Sequence, residues 1–290
     1  MAFVERVISL TFTKVGGTFA ETGVNTFTVE GLRVQCNVFN VGGISVGTAN
    51  LRVLGLTREQ LNDLSGLNSG FMVQRMIQLD IRAGDAGSPL QLIFSGQMNV
   101  GQIDMSGQPD SALIIVAAAG MIANMQPANP TSYPASASHL DVLADLARRA
   151  GLAFEPNGSP KTLATMYVFG SYRDQMLRVA DAANVNIAII DNTLVVWPRR
   201  GYRGTSDLPL ISPESGLVGY PSYSDNGIGI TTLFNPFLRL GQLFDVKSSL
   251  PFACGRWIAF GVKHDLESQT PNGKWFTTCT GQPFLGQPNV

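Results

Sequence analysis

Charged residues are scarce in this chain of 290 residues: they make up 14% of it, against about 25% in an ordinary soluble domain. The 20 Lys and Arg nearly balance the 21 Asp and Glu, whereas a protein that binds nucleic-acid phosphates carries a basic excess. A hydrophobic fraction of 44% excludes an acidic disordered chain. The length predicts two or three domains. A weakly charged protein of this size can stay soluble by covering its surface in an assembly, because interface cores are depleted of charge.

Cysteines are few, and long apolar runs are missing. Cys36, Cys254 and Cys279 form no CxxC pair, which excludes a zinc knuckle or a disulfide framework. We interpret them as isolated buried thiols in a reducing compartment. The longest uncharged stretch has an apolar centre of about a dozen residues, whereas a bilayer requires about 20. Glu5 and Arg6 interrupt the apolar N-terminus, so it lacks the layout of a signal peptide.

Histidine is rarer still, and motifs of metal or nucleotide sites are missing. His139 and His264 are the only histidines, and neither belongs to an H-E-x-x-H motif. Neither G-x-x-x-x-G-K nor G-x-G-x-x-G, the loops that cradle phosphates, occurs. The carboxylates Glu155, Glu214 and Glu267 have no spacing that indicates a paired acid and base. We therefore predict no cofactor, no metal and no catalytic residue.

One string does match an enzyme motif. Residues 43–47 fit G-x-S-x-G around Ser45, but a nucleophile elbow needs a strand before the serine and a helix after it. A β-rich run follows instead, so we predict a loop. His264 and Asp265 could belong to a catalytic triad; we favour a local hydrogen bond at a strand end. His139 lies in the first turn of a predicted helix, where we expect a surface imidazole.

The first 125 residues are predicted to form mainly strands, which indicates a barrel or a sandwich. Thr57 and Gln60 fit a capping box that starts a short helix at residues 58–64. The predicted strands are residues 24–29, 32–38, 49–54, 72–83, 90–100 and 113–119.

A small α+β module is predicted between residues 126 and 200. Two prolines in residues 127–130 mark a linker. Ser138 and Ser171 are predicted N-caps of two helices, which Gly151 and Asn184 end. The predicted elements are a helix at residues 139–150, a second helix that opens at residue 171, and a hairpin of residues 186–190 and 193–197.

Strands are predicted again in residues 201–290. Asn226-Gly227 and Asn272-Gly273 indicate turns, and the second is typical of a hairpin. Around the start of this block, Arg199, Arg200 and Arg203 lie in one loop, which we interpret as a solvated linker. The alternative is a patch that faces a partner. The predicted strands are residues 228–234, 243–248, 256–263 and 274–280.

A compact string in the last third is predicted to form a rigid corner. Asn235-Pro236 turns the chain, because proline fixes its own φ and restricts the residue before it. Gly241 permits a conformation that a residue with a Cβ resists. Residues 237–240 are thereby held at a defined place between two strands. They form a barrel corner, and in a second interpretation also a contact between subunits.

The same region resembles a known family. Residues 233–241, Leu-Phe-Asn-Pro-Phe-Leu-Arg-Leu-Gly, and residues 219–223, Gly-Tyr-Pro-Ser-Tyr, resemble the baseplate hub proteins of bacteriophage tails, especially contractile tails. The preceding module, which ends in Asp-Asn-Thr-Leu-Val-Val-Trp-Pro at residues 191–198, is similar to the small inserted domain of these proteins. The resemblance extends over most of the chain.

The resemblance implies a mainly β, α+β fold with two tail-tube-like β-barrels, residues 1–125 and 201–290, and a small α+β domain, residues 126–200. It implies a homotrimer in the virion baseplate, assembled in the host cytoplasm, whose six related barrels join the six-fold tail tube, or tube-initiator proteins, to the three-fold central spike. Other baseplate proteins are further partners. DNA would pass through a channel without specific binding, and the chain would not insert into a membrane.

Two alternatives remain open at this point. One is a tail-associated cell-wall hydrolase or peptidase, and the other is a component of a type VI secretion spike, which is a relative of the hub. A stable trimer would favour the hub, and a monomer with hydrolytic activity would favour the enzyme. For the hub we expect a neutral to acidic channel wall, because a basic wall binds phosphates and slows ejection.

Overall fold

A computed structural model of the chain describes residues 4–41, 46–65, 77–107, 110–134, 136–204, 208–224 and 227–284. The predicted loop around Ser45, the start of the predicted strand 72–83, and Asn226 of a predicted turn lie outside the described residues. Strands account for 48% of the structure and helices for 14%. The predicted fold class, α+β and mainly β, is therefore confirmed.

Eighteen strands and four helices follow one another in the described part of the chain. They are β1 (Arg6–Lys14), β2 (Thr26–Val29), β3 (Arg33–Val41), β4 (Thr48–Leu54), α1 (Arg58–Leu64), β5 (Ile77–Asp85), β6 (Gln91–Asp104), β7 (Ala112–Ala118), α2 (Met121–Met125), β8 (Thr131–Tyr133), α3 (His139–Arg149), β9 (Ala153–Pro156), β10 (Met166–Val168), α4 (Tyr172–Ala183), β11 (Val185–Ile190), β12 (Thr193–Pro198), β13 (Leu210–Ile211), β14 (Ser222–Ser224), β15 (Gly227–Leu233), β16 (Leu243–Val246), β17 (Gly255–Ser268) and β18 (Trp275–Pro283).

The chain divides into two compact units. The first combines Met1–Phe39, Gly47–Ala119 and Lys263–Phe276, and the second combines Asn40–Val46, Gly120–Val262 and Thr277–Val290. Strands β17 and β18 therefore each contribute residues to both units. The division into three domains at residues 125 and 200 stays a prediction.

The sheet of the first unit has the strand order β2-β1-β5-β6-β7-β4-β3, with β17 beside β3. The six ladders from β2 to β3 are all antiparallel. Along β1 the fully buried Ile8, Leu10 and Phe12 alternate with more polar residues, which is the period-2 pattern of a strand with one face on a core. The strands predicted from the sequence do not include β1, which lies between β2 and β5 in the sheet.

A buried ion pair joins the last residue of β1 to helix α1. Lys14 at the end of β1 donates from Nζ to Asp63 Oδ1 at 2.8 Å, and the two side chains are only 6% and 12% exposed. The ammonium also lies 4.2 Å from the ring centroid of Phe19, and Asp63 Oδ2 accepts from the backbone N–H of Ala20. Asp63 belongs to helix α1, whose capping box of Thr57 and Gln60 is confirmed. The pair therefore fixes the segment after β1 against this helix.

The second unit contains the helices of the α+β module. The caps of α3 and α4 are as predicted: Ser138 and Ser171 accept the backbone N–H groups at the two helix starts, and Asn184 ends α4 with a φ of 54°. The predicted hairpin β11–β12 is confirmed, and its Asp191-Asn192 turn has positive φ at both residues. Strand β9 pairs in parallel with β12. Both helices pack on a shared apolar core that includes the fully buried Leu143 and Met176.

The C-terminal part of the chain has the strand order β14-β15-β18-β17-β16-β13. Its buried residues, among them Ile228, Phe244 and Cys279, form a core cluster of their own. Strands β17 and β18 are longer than predicted, and the predicted Asn272-Gly273 turn lies between them with Asn272 at a φ of 55°. Among the described strands, hydrogen bonds do not close the strands of the first unit or the C-terminal strands into a barrel. The two-barrel arrangement stays a prediction.

Candidate assembly surface

The predicted corner after β15 begins with an Asn-Pro turn. Asn235 Oδ1 accepts the backbone N–H of Phe237 at 3.0 Å, and the Asn235 N–H donates to Thr277 Oγ1 at 3.0 Å. The side chain of Asn235 thus stabilises the turn, as short polar side chains commonly do. The predicted turn at this position is confirmed.

Side chains alternate between solvent and core in the next four residues. Phe237 is 56% exposed, whereas Leu238 and Leu240 are 2% and 3% exposed. Leu238 packs in the C-terminal core cluster. Leu240 packs instead in a small cluster with Trp197 of strand β12. Leu238 and Leu240 therefore hold this corner against the core, and the side chain of Phe237 faces solvent.

Gly241 ends the corner in a conformation that suits glycine. Its φ is +80°, and a Cβ at this position would lie 3.2 Å from Trp197 Cε2. The Gly241 N–H donates to the Ala259 carbonyl at 2.7 Å, and the Gly241 carbonyl accepts from the Arg203 N–H at 2.7 Å. The positive φ and the close indole both explain why the sequence has glycine here.

Arg203, predicted to lie in a solvated loop, is instead buried, so that prediction is wrong for this residue. Its guanidinium donates to both carboxylate oxygens of Glu155, with an Nε–Oε1 distance of 2.6 Å, and the side chain is 11% exposed. The hydrogen bonds from Arg203 hold the pKa of Glu155 below its ordinary value. The buried ion pair of Arg203 with Glu155 therefore connects the segment before β13 to strand β9. Arg199 and Arg200 are exposed.

Exposed apolar side chains concentrate in the same part of the chain. Ten of the nineteen large hydrophobic side chains that are exposed in the described structure lie between residues 202 and 260. Six of these ten side chains are aromatic, and aromatic residues are enriched in protein interfaces relative to the rest of the surface. The ten residues are Tyr202, Leu208, Leu210, Val218, Tyr220, Tyr223, Leu233, Phe237, Phe252 and Phe260.

The sheet edge formed by β14, a strand of three residues preceded by Pro221, lacks charged side chains. β14 is the last strand of its order, and residues 216–224 contain no Lys, Arg, Asp or Glu. Tyr220 and Tyr223 are 75% and 54% exposed there. Soluble proteins usually protect such an edge with charges. An uncharged aromatic edge favours a protein contact.

Both histidines are buried. His139 is 2% exposed, and its Nδ1 accepts the Lys161 N–H at 3.0 Å. The expected surface position of His139 is therefore wrong, because the segment around Thr162 covers the start of α3. His264 lies inside β17 and not at a strand end, so that expectation is wrong. It is 4% exposed, and burial lowers its pKa to about 4. Asp265 pairs with Lys263 Nζ at 2.9 Å.

The thiols differ in accessibility. Cys36 and Cys279 are buried, and burial raises the pKa of both, that of Cys36 to about 12. Cys254 is exposed, contrary to the expectation of buried thiols. In the part of the chain that the structure describes, no cluster of His, Cys, Asp or Glu is arranged to hold a metal ion. None of the described helices is long and apolar enough to span a membrane.

A family model described as baseplate hub gp41 matches residues 7–280. The chain belongs to the baseplate hub gp41 family. This confirms the resemblance based on residues 219–223 and 233–241. This baseplate hub protein is a structural component of a phage tail baseplate, and so of the virion.

Solved structures of tail proteins share the fold of this hub protein. A tail protein from Neisseria meningitidis MC58 gives a TM-score of 0.65 at 11% identity, over 96% of this chain and 97% of that chain. The 43 kDa tail protein of prophage MuSo2 from Shewanella oneidensis gives 0.62 at 7% identity, over 94% and 96%. The E. coli c3393 protein, a type VI secretion component with structural similarity to T4 tail proteins gp27 and gp5, gives 0.59 at 10% identity, over 94% and 76%. A search of curated proteins found no match.

Proposed function

We propose that this baseplate hub protein is a homotrimer that joins the six-fold tail tube to the three-fold central spike. The observation that carries the proposal is that one chain contains two compact units with strands in both. Three copies present six such units to the tube and one three-fold surface to the spike. Closed cyclic symmetry is the usual form of such assemblies.

The strand-rich parts of the two units would act as tube-like elements, and the α+β module, which belongs to the second unit, would be an insertion. The separate apolar cores of the module and of the C-terminal strands support this division. We expect the strand-rich blocks at residues 1–125 and 201–290 to superimpose as related β-barrels and to alternate around a ring. The 126–200 module then lies outside the ring.

The exposed apolar residues between 202 and 260 support protein contacts as the role of this region. Obligate interfaces bury more than about 2,000 Å² and are relatively apolar. The low charge of the chain agrees with a surface that is largely covered after assembly. The expected partners are two further copies, the tail tube or its initiator proteins, the central spike and neighbouring baseplate proteins, which meet in the host cytoplasm.

The ring would form part of the channel through which DNA is ejected. The formal net charge of −1 is compatible with a wall that does not retain DNA. We expect neutral or acidic side chains to line it. A channel wall dominated by Arg and Lys would contradict this part of the proposal.

Sedimentation at micromolar concentration tests the trimer directly. We expect a species of three times the chain mass of 31.1 kDa. A monomer at high concentration, also in the presence of spike and tube proteins, would contradict the assembly. A reconstruction of the tail tip tests the symmetry match, since a single sandwich shared by the two blocks is incompatible with it.

A further inference from the structure

A segment without regular secondary structure lies over the start of α3. Residues 157–165 connect β9 to β10 and contain no helix or strand. We call residues 158–162, all of which are exposed, the strap. Its Thr162 forms an isolated antiparallel bridge with Ser138, the N-cap of α3. Exposed segments with few contacts are the ones that open locally while the rest of a protein stays folded.

His139, the first residue of α3, holds the strap through both its backbone and its side chain. Its backbone N–H donates to the Lys161 carbonyl at 3.0 Å, and its Nδ1 lies 3.0 Å from the Lys161 nitrogen. A backbone N–H can only donate, so Nδ1 is the acceptor and the imidazole carries its proton on Nε2. The closed strap therefore requires a neutral His139.

A proton on Nδ1 removes the acceptor of the Lys161 N–H. Two N–H groups then face each other across a distance that suits a hydrogen bond. The Lys161 carbonyl, 3.3 Å from Nδ1, offers the new N–H only a long contact and already accepts the backbone N–H of His139. The Lys161 N–H is left without a partner, which is unfavourable in a partly buried site.

The surroundings of the imidazole also disfavour a positive charge. His139 is 2% exposed, and its burial lowers its pKa below the ordinary value. The Lys161 ammonium lowers this pKa further, whereas the hydrogen bond with the Lys161 backbone and the carboxylate of Asp141 on α3 raise it. The ammonium donates to the Ala183 carbonyl at the end of α4 at 2.8 Å, so α4 holds that charge in place. The N-terminus of α3 is itself unfavourable for a cation.

We propose that His139 is a proton-sensitive latch, in which a proton on Nδ1 releases the strap from the start of α3. In the open state the imidazole is solvated and takes up its proton at the ordinary pKa of about 6.5. Each pH unit below this value therefore favours opening by up to about tenfold, because the open state binds a proton that the closed state excludes. The Leu163 N–H, which donates to the Ala137 carbonyl at 3.0 Å, loses its partner in the same opening.

Hydrogen exchange of the Lys161 and Leu163 amides measures the opening. After correction for the intrinsic effect of pH on exchange, their protection factors should fall about 5- to 25-fold from pH 7 to pH 5 in the wild-type protein. Amides of the hairpin β11–β12 in the same unit serve as the internal reference and should keep their protection.

His139→Asn is the matched control variant. Asparagine Oδ1 can accept the Lys161 N–H from about the position of Nδ1, but it does not take up a proton in this pH range. This variant should therefore protect the strap at pH 7 and show no fall at pH 5. An equal fall of protection in wild type and variant, or a fall in neither, would refute the latch.

A titration of the wild-type protein with 15N-labelled histidine gives a second test, which needs no variant. The chain has only two histidines, and burial lowers the pKa of His264 to about 4, so the two signals separate. His139 should carry its proton on Nε2 at pH 7 and should titrate below the ordinary pKa. A proton on Nδ1 at pH 7 would overturn the proposal, and so would a strap that stays protected while His139 becomes protonated.

Discussion

Replacing Gly241 with alanine tests how the corner after β15 is held. The substitution adds one methyl group at a φ of +80°, 3.2 Å from Trp197 Cε2. Two costs follow, one from the backbone conformation and one from the indole. Trp197 is 4% exposed and packs on Leu240, so it has little freedom to move away.

The expected loss of stability can be divided between these costs. A residue with a Cβ in the left-handed region costs about 1–2 kcal/mol. Forcing a methyl group into a packed site costs about 1–3 kcal/mol more. Gly241→Ala should therefore lower the free energy of unfolding of the second unit by about 2–5 kcal/mol.

Gly151 provides a matched control within the same unit. Its φ is +71°, and nothing lies within 4 Å of a Cβ built there. Gly151→Ala should cause only the backbone loss of about 1–2 kcal/mol. Urea unfolding followed by circular dichroism and calorimetry would measure both variants, with the two units analysed as separate transitions where they separate.

A double variant isolates the contact with the indole. In a Trp197→Leu background, the effect of Gly241→Ala should fall to that of the Gly151→Ala control, because the contacting ring atom is gone. Equal losses for Gly241→Ala and Gly151→Ala would refute the role of Trp197. So would an effect of Gly241→Ala that does not change in the double variant.

Three further predictions follow from other residues. Asp63→Ala leaves the Lys14 ammonium buried without its carboxylate and should destabilise the first unit by about 3–5 kcal/mol. The double variant Lys14→Met, Asp63→Leu should lose much less free energy of unfolding in urea. Equal losses in the two variants would contradict the role of the ion pair. Because burial lowers the pKa of His264 to about 4 from an ordinary 6.5, the unfolded chain takes up a proton first as the pH falls. Stability should therefore be full above about pH 6.5 and should drop by about 2 kcal/mol between pH 7 and pH 5, a drop that His264→Gln should lack. Finally, the wild type should not degrade peptidoglycan in a gel assay; degradation that Ser45→Ala abolishes without a change in melting temperature would favour the hydrolase.

Local sequence signals predicted the helices and the hairpin of the module well. Ser171 with Asp174, and Asn184 at a positive φ, satisfy helix ends through contacts with residues close in sequence. The Asp191-Asn192 turn depends in the same way on two residues that tolerate positive φ. Such features require no knowledge of the rest of the chain.

Contacts between distant residues could not be predicted in this way. Arg203 pairs with Glu155, which is 48 residues away, and no spacing rule connects them. His139 is buried because residues near Thr162 lie over the start of its helix. The exposure of Phe252 beside the fully buried Ala253 depends on a tertiary turn, although the surrounding lack of charge is visible in the sequence.

Membership of residues 263–276 in the first unit has a consequence for biosynthesis. The first unit begins with β1 but takes its last piece from a segment that the ribosome makes more than 140 residues after β7. Until that segment emerges, β3 lacks the neighbour that β17 provides, and an unpaired strand edge is prone to wrong pairing. The first unit therefore completes its fold only after nearly all of the second has been translated. Chains that stop early would expose an unfinished sheet and would be targets for chaperones or proteases rather than for tail assembly.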